Sequence, residues 1–312
     1  MAHRRCGAGR PGARSGVLEA VAMDAATAEL LDLLNLQSAG QGVYLGAPSP
    51  DARNRVFGGQ VLAQALAAAS FTAPDWACHS LHAYFLRPGK PGRPIEYEVA
   101  AMRDGNTFAT RKVVAVQRDE VNLELVASFE RAEAGADYQL TMPEVPAPES
   151  FPGEDERTAA MVESAPPELR EHMQRKRPIE MIRVDARDFR DRTPTAAPIR
   201  TWMRVRSPLM DDPNLHRCAL AYASDMGALE PSLRATGAGF GDSTMQVASL
   251  DHALWFHRAF RFDDWLLFAF EPVSVAGGRG LSRGCVWGRD GRLVASIAQE
   301  GVMRKRDELA AL

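Results

Sequence analysis

The chain has 312 residues, of which 46% are hydrophobic and 25% charged, and its formal net charge is −3. This is typical of a soluble globular protein of about two domains with a sizeable buried core. The net charge argues against a nucleic-acid-binding protein that neutralises many phosphates, although one local basic pocket for a phosphorylated ligand is compatible with it. A membrane-spanning helix needs about 18 consecutive apolar residues, and no stretch of this sequence is that long.

The N-terminal segment is basic. Residues 1–22 hold four arginines and a single acid, Glu19, a composition typical of a transit peptide. Translation could also start at Met23 and give a shorter chain. We favour this interpretation, in which the start of the chain at residue 1 is misassigned. The chain ends in Ala-Ala-Leu, which is not the Ser-Lys-Leu peroxisomal signal.

The cysteines are scattered without CxxC spacing, which disfavours both a zinc site and a disulfide framework. They are Cys6, Cys78, Cys218 and Cys285. We therefore expect a reducing, cytoplasmic location and no metal or other cofactor.

The first half of the chain predicts a helix followed by strands. Residues 24–36 predict an amphipathic helix, and residues 56–70 a longer one, opened by Gly58 and Gly59, whose alanines permit close packing. Alternating β-rich segments follow at residues 79–87, 95–102, 107–117 and 123–133. A long helix followed by consecutive antiparallel strands is an α+β unit.

The second half repeats this order after a region rich in proline and charge. Strand 199–206 precedes helix 216–229 and a glycine-rich loop at 235–241, and the later strands are predicted at residues 245–257, 265–272, 283–287 and 293–303. A short helix is expected near residues 168–175. The predicted domains are an extension (1–23), a first unit (24–137), a linker (138–195) and a second unit (196–312).

Two motifs occur once in each half. SLHAYFLRP around His82 resembles SLDHALWFHR around His252 (252 − 82 = 170), and VASFE resembles VASIAQE (294 − 126 = 168). Two nearly equal offsets indicate that one ancestral unit was duplicated. The offsets place Arg131 at the position of Gln299 (299 − 168 = 131), so the copies differ and one half is expected to carry the active site.

Three polar side chains interrupt apolar faces of the second unit. Asp225 falls on the apolar stripe of its predicted helix, Ser249 points with Ala253 and Trp255, and Gln299 lies on an apolar strand face. Because buried polar groups are costly without partners, these three are expected to meet. The pattern alone fits a structural hydrogen-bond network as well as a catalytic one.

Three motif matches do not support a site. Ser282 stands in a G-x-S-x-G sequence, but a strand follows it where a nucleophile elbow needs a helix, and no histidine follows. Residues 237–241 lack the strand and the Lys-Ser/Thr ending of a phosphate loop. The odd spacings of His79/His82 and His252/His257 send each pair to opposite faces of a strand, which disfavours metal chelation.

Longer motifs run in order over residues 33–304. They are RVFGGQVLAQAL (55–66), SLHAYFLRPG (80–89), AYASDMGAL (221–229), VASLDHALWFHRAF (247–260), GGRG (277–280) and VASIAQEGVMR (294–304). Together they resemble the type II acyl-CoA thioesterases, which include bacterial thioesterase II and the peroxisomal acyl-CoA thioesterase. The resemblance implies a tandem double hotdog, in which each unit wraps an antiparallel sheet around its long helix.

The same resemblance implies hydrolysis of fatty acyl-CoA to free fatty acid and CoA within lipid metabolism, by a homo-oligomer. The catalytic triad of the family falls on Asp225, Ser249 and Gln299. In the mechanism we expect, Asp225 accepts a proton from a water held by the other two, which attacks the thioester directly.

Substrate-binding candidates surround this triad. Backbone N–H groups at the entry to the first long helix are candidates to polarise the thioester carbonyl. Aromatic and imidazole side chains are candidates for the acyl site, and arginines beside flexible glycines for the CoA phosphates. The residues are Gly58, Gly59, His252, Trp255, Arg279 and Arg283.

Two alternatives stay open at this point. A hotdog enoyl-CoA hydratase or dehydratase needs an Asp/His acid–base pair, for which Asp225 and His252 are available. A non-catalytic acyl-CoA-binding protein has no use for a buried carboxylate, which weighs against it.

Overall fold

The computed structural model describes residues 23–49, 54–165, 167–188, 191–239 and 242–306. The predicted N-terminal extension, except for Met23, lies outside the described residues. Within the described ranges, no helix combines the length and apolarity needed to cross a membrane.

The described part of the first half contains two helices and six strands. Asp24 caps α1 by accepting a hydrogen bond from the Ala26 N–H at 2.9 Å. The elements are α1 (Ala25–Leu34), β1 (Gln37–Gly40), β2 (Val43–Gly46), α2 (Gly58–Phe71), β3 (Ala77–Phe85), β4 (Ile95–Asp104), β5 (Phe108–Gln117) and β6 (Glu120–Glu130). The sequence pattern did not predict the β1–β2 hairpin.

The remaining elements follow after residue 147. They are a 3₁₀ helix (Pro148–Ser150), α3 (Glu154–Ser164), α4 (Pro167–Gln174), β7 (Ile179–Arg183), β8 (Ile199–Val205), α5 (Pro213–Ser224), α6 (Glu230–Ala235), β9 (Met245–Ser249), β10 (Asp251–Phe256), β11 (Leu266–Ala276), β12 (Arg279–Gly288) and β13 (Leu293–Lys305). The short helix expected near residues 168–175 is confirmed as α4. The region predicted as a linker also holds β7, which pairs with β8 and so extends the sheet of the second half.

The described strands form one antiparallel sheet in the order β1-β2-β4-β5-β6-β3-β10-β13-β12-β11-β8-β7, with β9 paired to β13. The two halves join where β3 pairs with β10. Helices α2 and α5 pack against each other, and residues 59–70 of α2 are all buried. Its alanines allow this close approach, and each half wraps its sheet around one long helix. The α+β double hotdog prediction is confirmed.

The second long helix is shorter than predicted. It ends at Ser224 because Gly227 adopts a positive φ of 80°, a conformation that favours glycine and terminates helices. Asp225 is therefore the C-cap of α5 and not a residue of its apolar stripe. Its carboxylate projects from the end of the helix.

The predicted strand 245–257 is broken at Leu250. In β9, Ser249 pairs with Gly301 (249 + 301 = 550), whereas in β10 Ala253 pairs with Ala298 (253 + 298 = 551). The extra residue is a bulge that reverses the side-chain alternation. The predicted shared face of Ser249, Ala253 and Trp255 is therefore wrong.

Candidate active site

The Asp225 carboxylate lies at the N-terminus of α2, which belongs to the other half of the chain. The N-cap residue of α2, Phe57, makes no side-chain capping bond. The Gly59 N–H instead donates to Asp225 Oδ2 at 2.9 Å. Asp225 thus satisfies a free donor of the first helical turn and places its negative charge at the positive end of the helix dipole.

Gly58 and Gly59 permit this approach because they have no Cβ. A Cβ on Gly58 would lie 2.7 Å from Asp225 Oδ2, and one on Gly59 would lie 2.3 Å from the Tyr222 carbonyl oxygen. Both predicted residues are therefore at the site, and the structure gives them a packing reason. Side chains here would force α2 and α5 apart.

Ser249 and Gln299 complete a triangle with Asp225. Gln299 Nε2 donates to Asp225 Oδ1 and to Ser249 Oγ, each at 2.7 Å. Ser249 Oγ donates to Asp225 Oδ1 at 3.3 Å. The neighbouring strands β9 and β13 bring the two side chains together, so the three polar residues do meet, as the sequence pattern predicted.

Burial raises the pKa of Asp225 above the ordinary value for an aspartate. The positive charge of His252, when present, and the hydrogen bonds from Gln299, Gly59 and Ser249 act in the opposite direction. Asp225 and Ser249 are half-buried, whereas Gln299 is 1% exposed. Asp225 and Ser249 therefore form the more accessible side of the triangle, and an ionised Asp225 of raised pKa is a stronger base than a solvated carboxylate.

His252 lies behind Gln299 and is only 1% exposed. Its Nδ1 is 2.8 Å from Gln299 Oε1, and its Nε2 is 2.9 Å from Ser224 Oγ. Burial lowers the pKa of His252, so the neutral imidazole is favoured. The structure does not support the substrate-binding role predicted for His252. The sequence pattern missed Ser224, although it directly precedes Asp225.

The other predicted binding residues lie away from the triangle. Strand alternation puts Trp255 on the opposite face from His252, where its ring packs edge-on against His82 with 5.1 Å between centroids. Arg279 and Arg283 alternate with the buried residues of β12, so they also point to that opposite face. They pair with Glu300 and Glu271. The predicted acyl and phosphate contacts of these three residues stay predictions, and such contacts would form on the face opposite to the triangle.

The triangle is a poor metal site. It offers one carboxylate, one hydroxyl and one amide nitrogen, and that nitrogen already donates to the other two groups. Hard cations need several oxygen ligands. Elsewhere in the described ranges, no group of three or more His, Cys, Asp or Glu side chains is arranged to hold an ion.

The first half does not repeat the triangle at the positions expected from the motif offsets. Arg131 directly follows the end of β6, whereas Gln299 lies within β13. The offset of 170 places His79 at the position of Ser249 (249 − 170 = 79), and its Nε2 hydrogen-bonds to Ser128 Oγ at 2.8 Å. Neither position supplies a carboxylate or an amide.

Ser282→Ala is expected to leave turnover near normal. Ser282 is 1% exposed and its hydroxyl hydrogen-bonds to Ser232 Oγ at 2.8 Å, so it is enclosed and has no adjacent histidine base. Loss of this bond costs about 1 kcal/mol of stability. Steady-state kinetics and mass spectrometry of the quenched enzyme check this, and an acyl group trapped on Ser282 would establish covalent catalysis.

Comparison with known proteins places both halves in one family. A model of the acyl-CoA thioesterase N-terminal domain matches residues 45–130, and a model of the acyl-CoA thioesterase C-terminal domain matches residues 143–303. Acyl-CoA thioesterase 2 of Haemophilus influenzae is 37% identical, over 88% of this chain and 96% of that protein. Human acyl-coenzyme A thioesterase 8 is 33% identical, over 89% of each.

Solved structures agree with this assignment. The tesB protein of Mycobacterium avium subspecies paratuberculosis superposes with a TM-score of 0.75 at 32% identity, covering 89% of this chain and 99% of that one. Acyl-CoA thioesterase II TesB2 of Mycobacterium marinum superposes with a TM-score of 0.71 at 36% identity, covering 89% of this chain and 98% of that one. A hot dog protein of unknown function from Alicyclobacillus acidocaldarius superposes with a TM-score of 0.67, covering 88% of this chain and 97% of that one. Because it is only 20% identical, it supports the fold alone.

Proposed function

The chain belongs to the acyl-CoA thioesterase family, and on that premise we propose that Asp225, Ser249 and Gln299 hydrolyse its thioester substrate by direct attack of water. The overall reaction is hydrolysis of acyl-CoA to a free acid and CoA. The single observation that supports this assignment of residues is the triangle itself. It combines a carboxylate of raised pKa with a hydroxyl and an amide, all within 3.3 Å of one another.

In the proposed step, the ionised Asp225 accepts a proton from a water molecule as the water oxygen bonds to the thioester carbon. Ser249 Oγ and Gln299 Nε2 donate to the carboxylate in the absence of substrate, and in this step they exchange one such hydrogen bond for one to the water oxygen, which fixes its position beside Asp225. The tetrahedral intermediate then breaks its C–S bond. The proton held by Asp225 passes to the departing sulfur, which leaves as the CoA thiol.

Gly59 has a different role from the one first expected. Its N–H donates to Asp225 Oδ2, so in this arrangement it holds the base and does not polarise the substrate carbonyl. The N-terminal end of α2 still contributes a positive dipole next to the reacting groups. Both halves of the chain thus build the single proposed site.

The geometry weighs against the hydratase alternative. An acid–base pair must reach the substrate with both members, yet the amide of Gln299 lies between His252 and Asp225. Both imidazole nitrogens already have hydrogen-bond partners inside the protein. A non-catalytic binding protein would gain nothing from the cost of burying the Asp225 carboxylate.

The purified enzyme is expected to release free thiol from saturated acyl-CoAs and not to hydrate an enoyl-CoA. Thiol release can be followed with a thiol reagent across a series of acyl-chain lengths, which also determines the length preference. Loss of the enoyl absorbance is followed in parallel. Hydration without thiol release would favour the hydratase, and binding with neither reaction would favour the non-catalytic acyl-CoA-binding protein.

The activity is expected to fall as the pH is lowered through the raised pKa of Asp225. Burial destabilises the ionised form, and only the ionised form accepts the water proton, so the acid limb of kcat/KM should lie above the ordinary range of an aspartate. The limb should disappear from the residual activity of Asp225→Asn. An unchanged limb in that variant would assign the titration to another group.

The expected homo-oligomer and cytoplasmic location are part of this proposal. Large apolar side chains are exposed on β3 and in its vicinity, among them Tyr84 at 62% and Leu86 at 51%, and such exposure is a feature of association surfaces. Light scattering on the purified chain measures the oligomeric state. Imaging of the tagged full-length chain tests the location.

A further inference from the structure

His252 has no place in the proposed step, yet it is one of the most enclosed polar residues at the site, at 1% exposure. Its neighbours on either side are the Gln299 side chain and the Ser224 hydroxyl. Because Gln299 separates it from Asp225, the hydrogen bonds of His252 reach the reacting groups only through these neighbours.

The contacts define which nitrogen carries the proton. Gln299 Oε1 can only accept a hydrogen bond, so Nδ1 at 2.8 Å must be the donor. In the neutral imidazole Nε2 is then an acceptor, and its neighbour at 2.9 Å is the Ser224 hydroxyl, whose single hydrogen it shares with the Ala221 carbonyl oxygen at 2.8 Å. His252 therefore presents a fixed N–H to the amide oxygen of Gln299.

The orientation of the Gln299 amide determines whether the triangle can form. Its NH₂ group faces Asp225 Oδ1 and Ser249 Oγ, each at 2.7 Å. Rotation of the amide by half a turn would place Oε1 against the carboxylate, replacing an attractive contact with a repulsive one. A donor on the opposite side of the amide prevents that rotation, and Nδ1 of His252 is such a donor.

We infer that His252 is a positioning residue, which locks the Gln299 amide with its NH₂ group toward Asp225 and Ser249. This rests on the proposed function, because Gln299 must first matter to catalysis. Hydrogen-bond partners one step removed from a functional group are typically worth about 10- to 100-fold in activity. The loss should fall on kcat and leave KM nearly unchanged, since His252 does not reach the substrate side.

The test compares two substitutions at the same position. His252→Leu removes the donor with a side chain of similar bulk, and kcat should fall about 10- to 100-fold. His252→Asn removes the imidazole but keeps an N–H close to the place of Nδ1, and it should recover most of the activity. His257→Leu is the matched control, because the His257 imidazole hydrogen-bonds to Ser296 Oγ and lies off the triangle.

A double-mutant cycle separates this inference from the proposed function. In a Gln299→Ala background, His252→Leu should change kcat less than about twofold, because its effect acts through the missing amide. Equal losses in both backgrounds, equal losses for Leu and Asn, or no loss for Leu would each overturn the inference. Wild-type kcat in Gln299→Ala alone would refute the proposed function instead.

Nitrogen NMR of the histidine-labelled wild-type enzyme provides a measurement that needs no variant of His252. The neutral ring should carry its proton on Nδ1, and the Nδ1 signal should shift in Gln299→Ala. A proton on Nε2 of the neutral ring would contradict the inference.

Discussion

Asp225→Asn is expected to lower kcat by about 10²- to 10⁴-fold while the protein stays folded. The substitution is nearly isosteric, but an amide cannot accept the proton of the attacking water. It also converts one carboxylate oxygen into a donor, so the side chain can no longer accept from both Gly59 and Gln299. Thiol release under saturating acyl-CoA measures the effect.

The control for this variant is Asp211→Asn. Asp211 has a side chain that is 97% exposed and pairs with Arg261 at the surface, so the same chemical change there should not alter kcat. Thermal unfolding of both variants verifies the fold. A folded Asp225→Asn enzyme that retains more than about a third of the wild-type kcat would exclude Asp225 as the general base.

Gln299→Ala should lower kcat by about 10²- to 10³-fold, the range seen when one oriented donor is removed from an active site. Ser249→Ala should act in the same direction, and each should affect kcat more than KM because neither residue holds the substrate. A matched amide away from the triangle is Gln139, whose side chain hydrogen-bonds to backbone atoms of Gly291 and Leu293. Its alanine variant should keep normal turnover.

The triple variant of Asp225, Ser249 and Gln299 should be hardly slower than Asp225→Asn alone. Residues that act as one unit give strongly non-additive effects, because the first substitution already removes what the others support. Single, double and triple variants measured with one acyl-CoA provide the comparison. A triple loss equal to the product of the three single losses would mean that the residues act independently.

The fold could be predicted because its determinants are local. The alanine-rich stretch of α2 and the period-two alternation of β3 to β6 are visible in a single sequence, and the long family motifs added the double hotdog. The end of α5 could not be found by periodicity, since the positive φ of Gly227 overrides an apolar stripe that continues to residue 229. The bulge at Leu250 depends on pairing with a strand some fifty residues away.

The sequence pattern predicted that three polar side chains would meet, and they do, but it did not predict their geometry. Buried polar residues stand out in a sequence, so Asp225, Ser249 and Gln299 could be named, yet the face assigned to Ser249 was wrong because the bulge reverses it. Contacts between the two halves of the chain could not be predicted from local sequence patterns. The bond from Gly59 to Asp225 joins residues 166 positions apart, and the ion pairs of Arg279 and Arg283 depend on neighbouring strands.

A single turnover in water labelled with heavy oxygen tests the central claim most directly. Enzyme in excess over acyl-CoA is mixed in labelled water, quenched, and both the product acid and the peptide that contains Asp225 are analysed by mass spectrometry. Direct attack by water held at Asp225 predicts one heavy oxygen in every acid molecule of the first turnover and none in the peptide. Unlabelled acid together with a labelled Asp225, or an acyl group covalently attached to the enzyme, would contradict it.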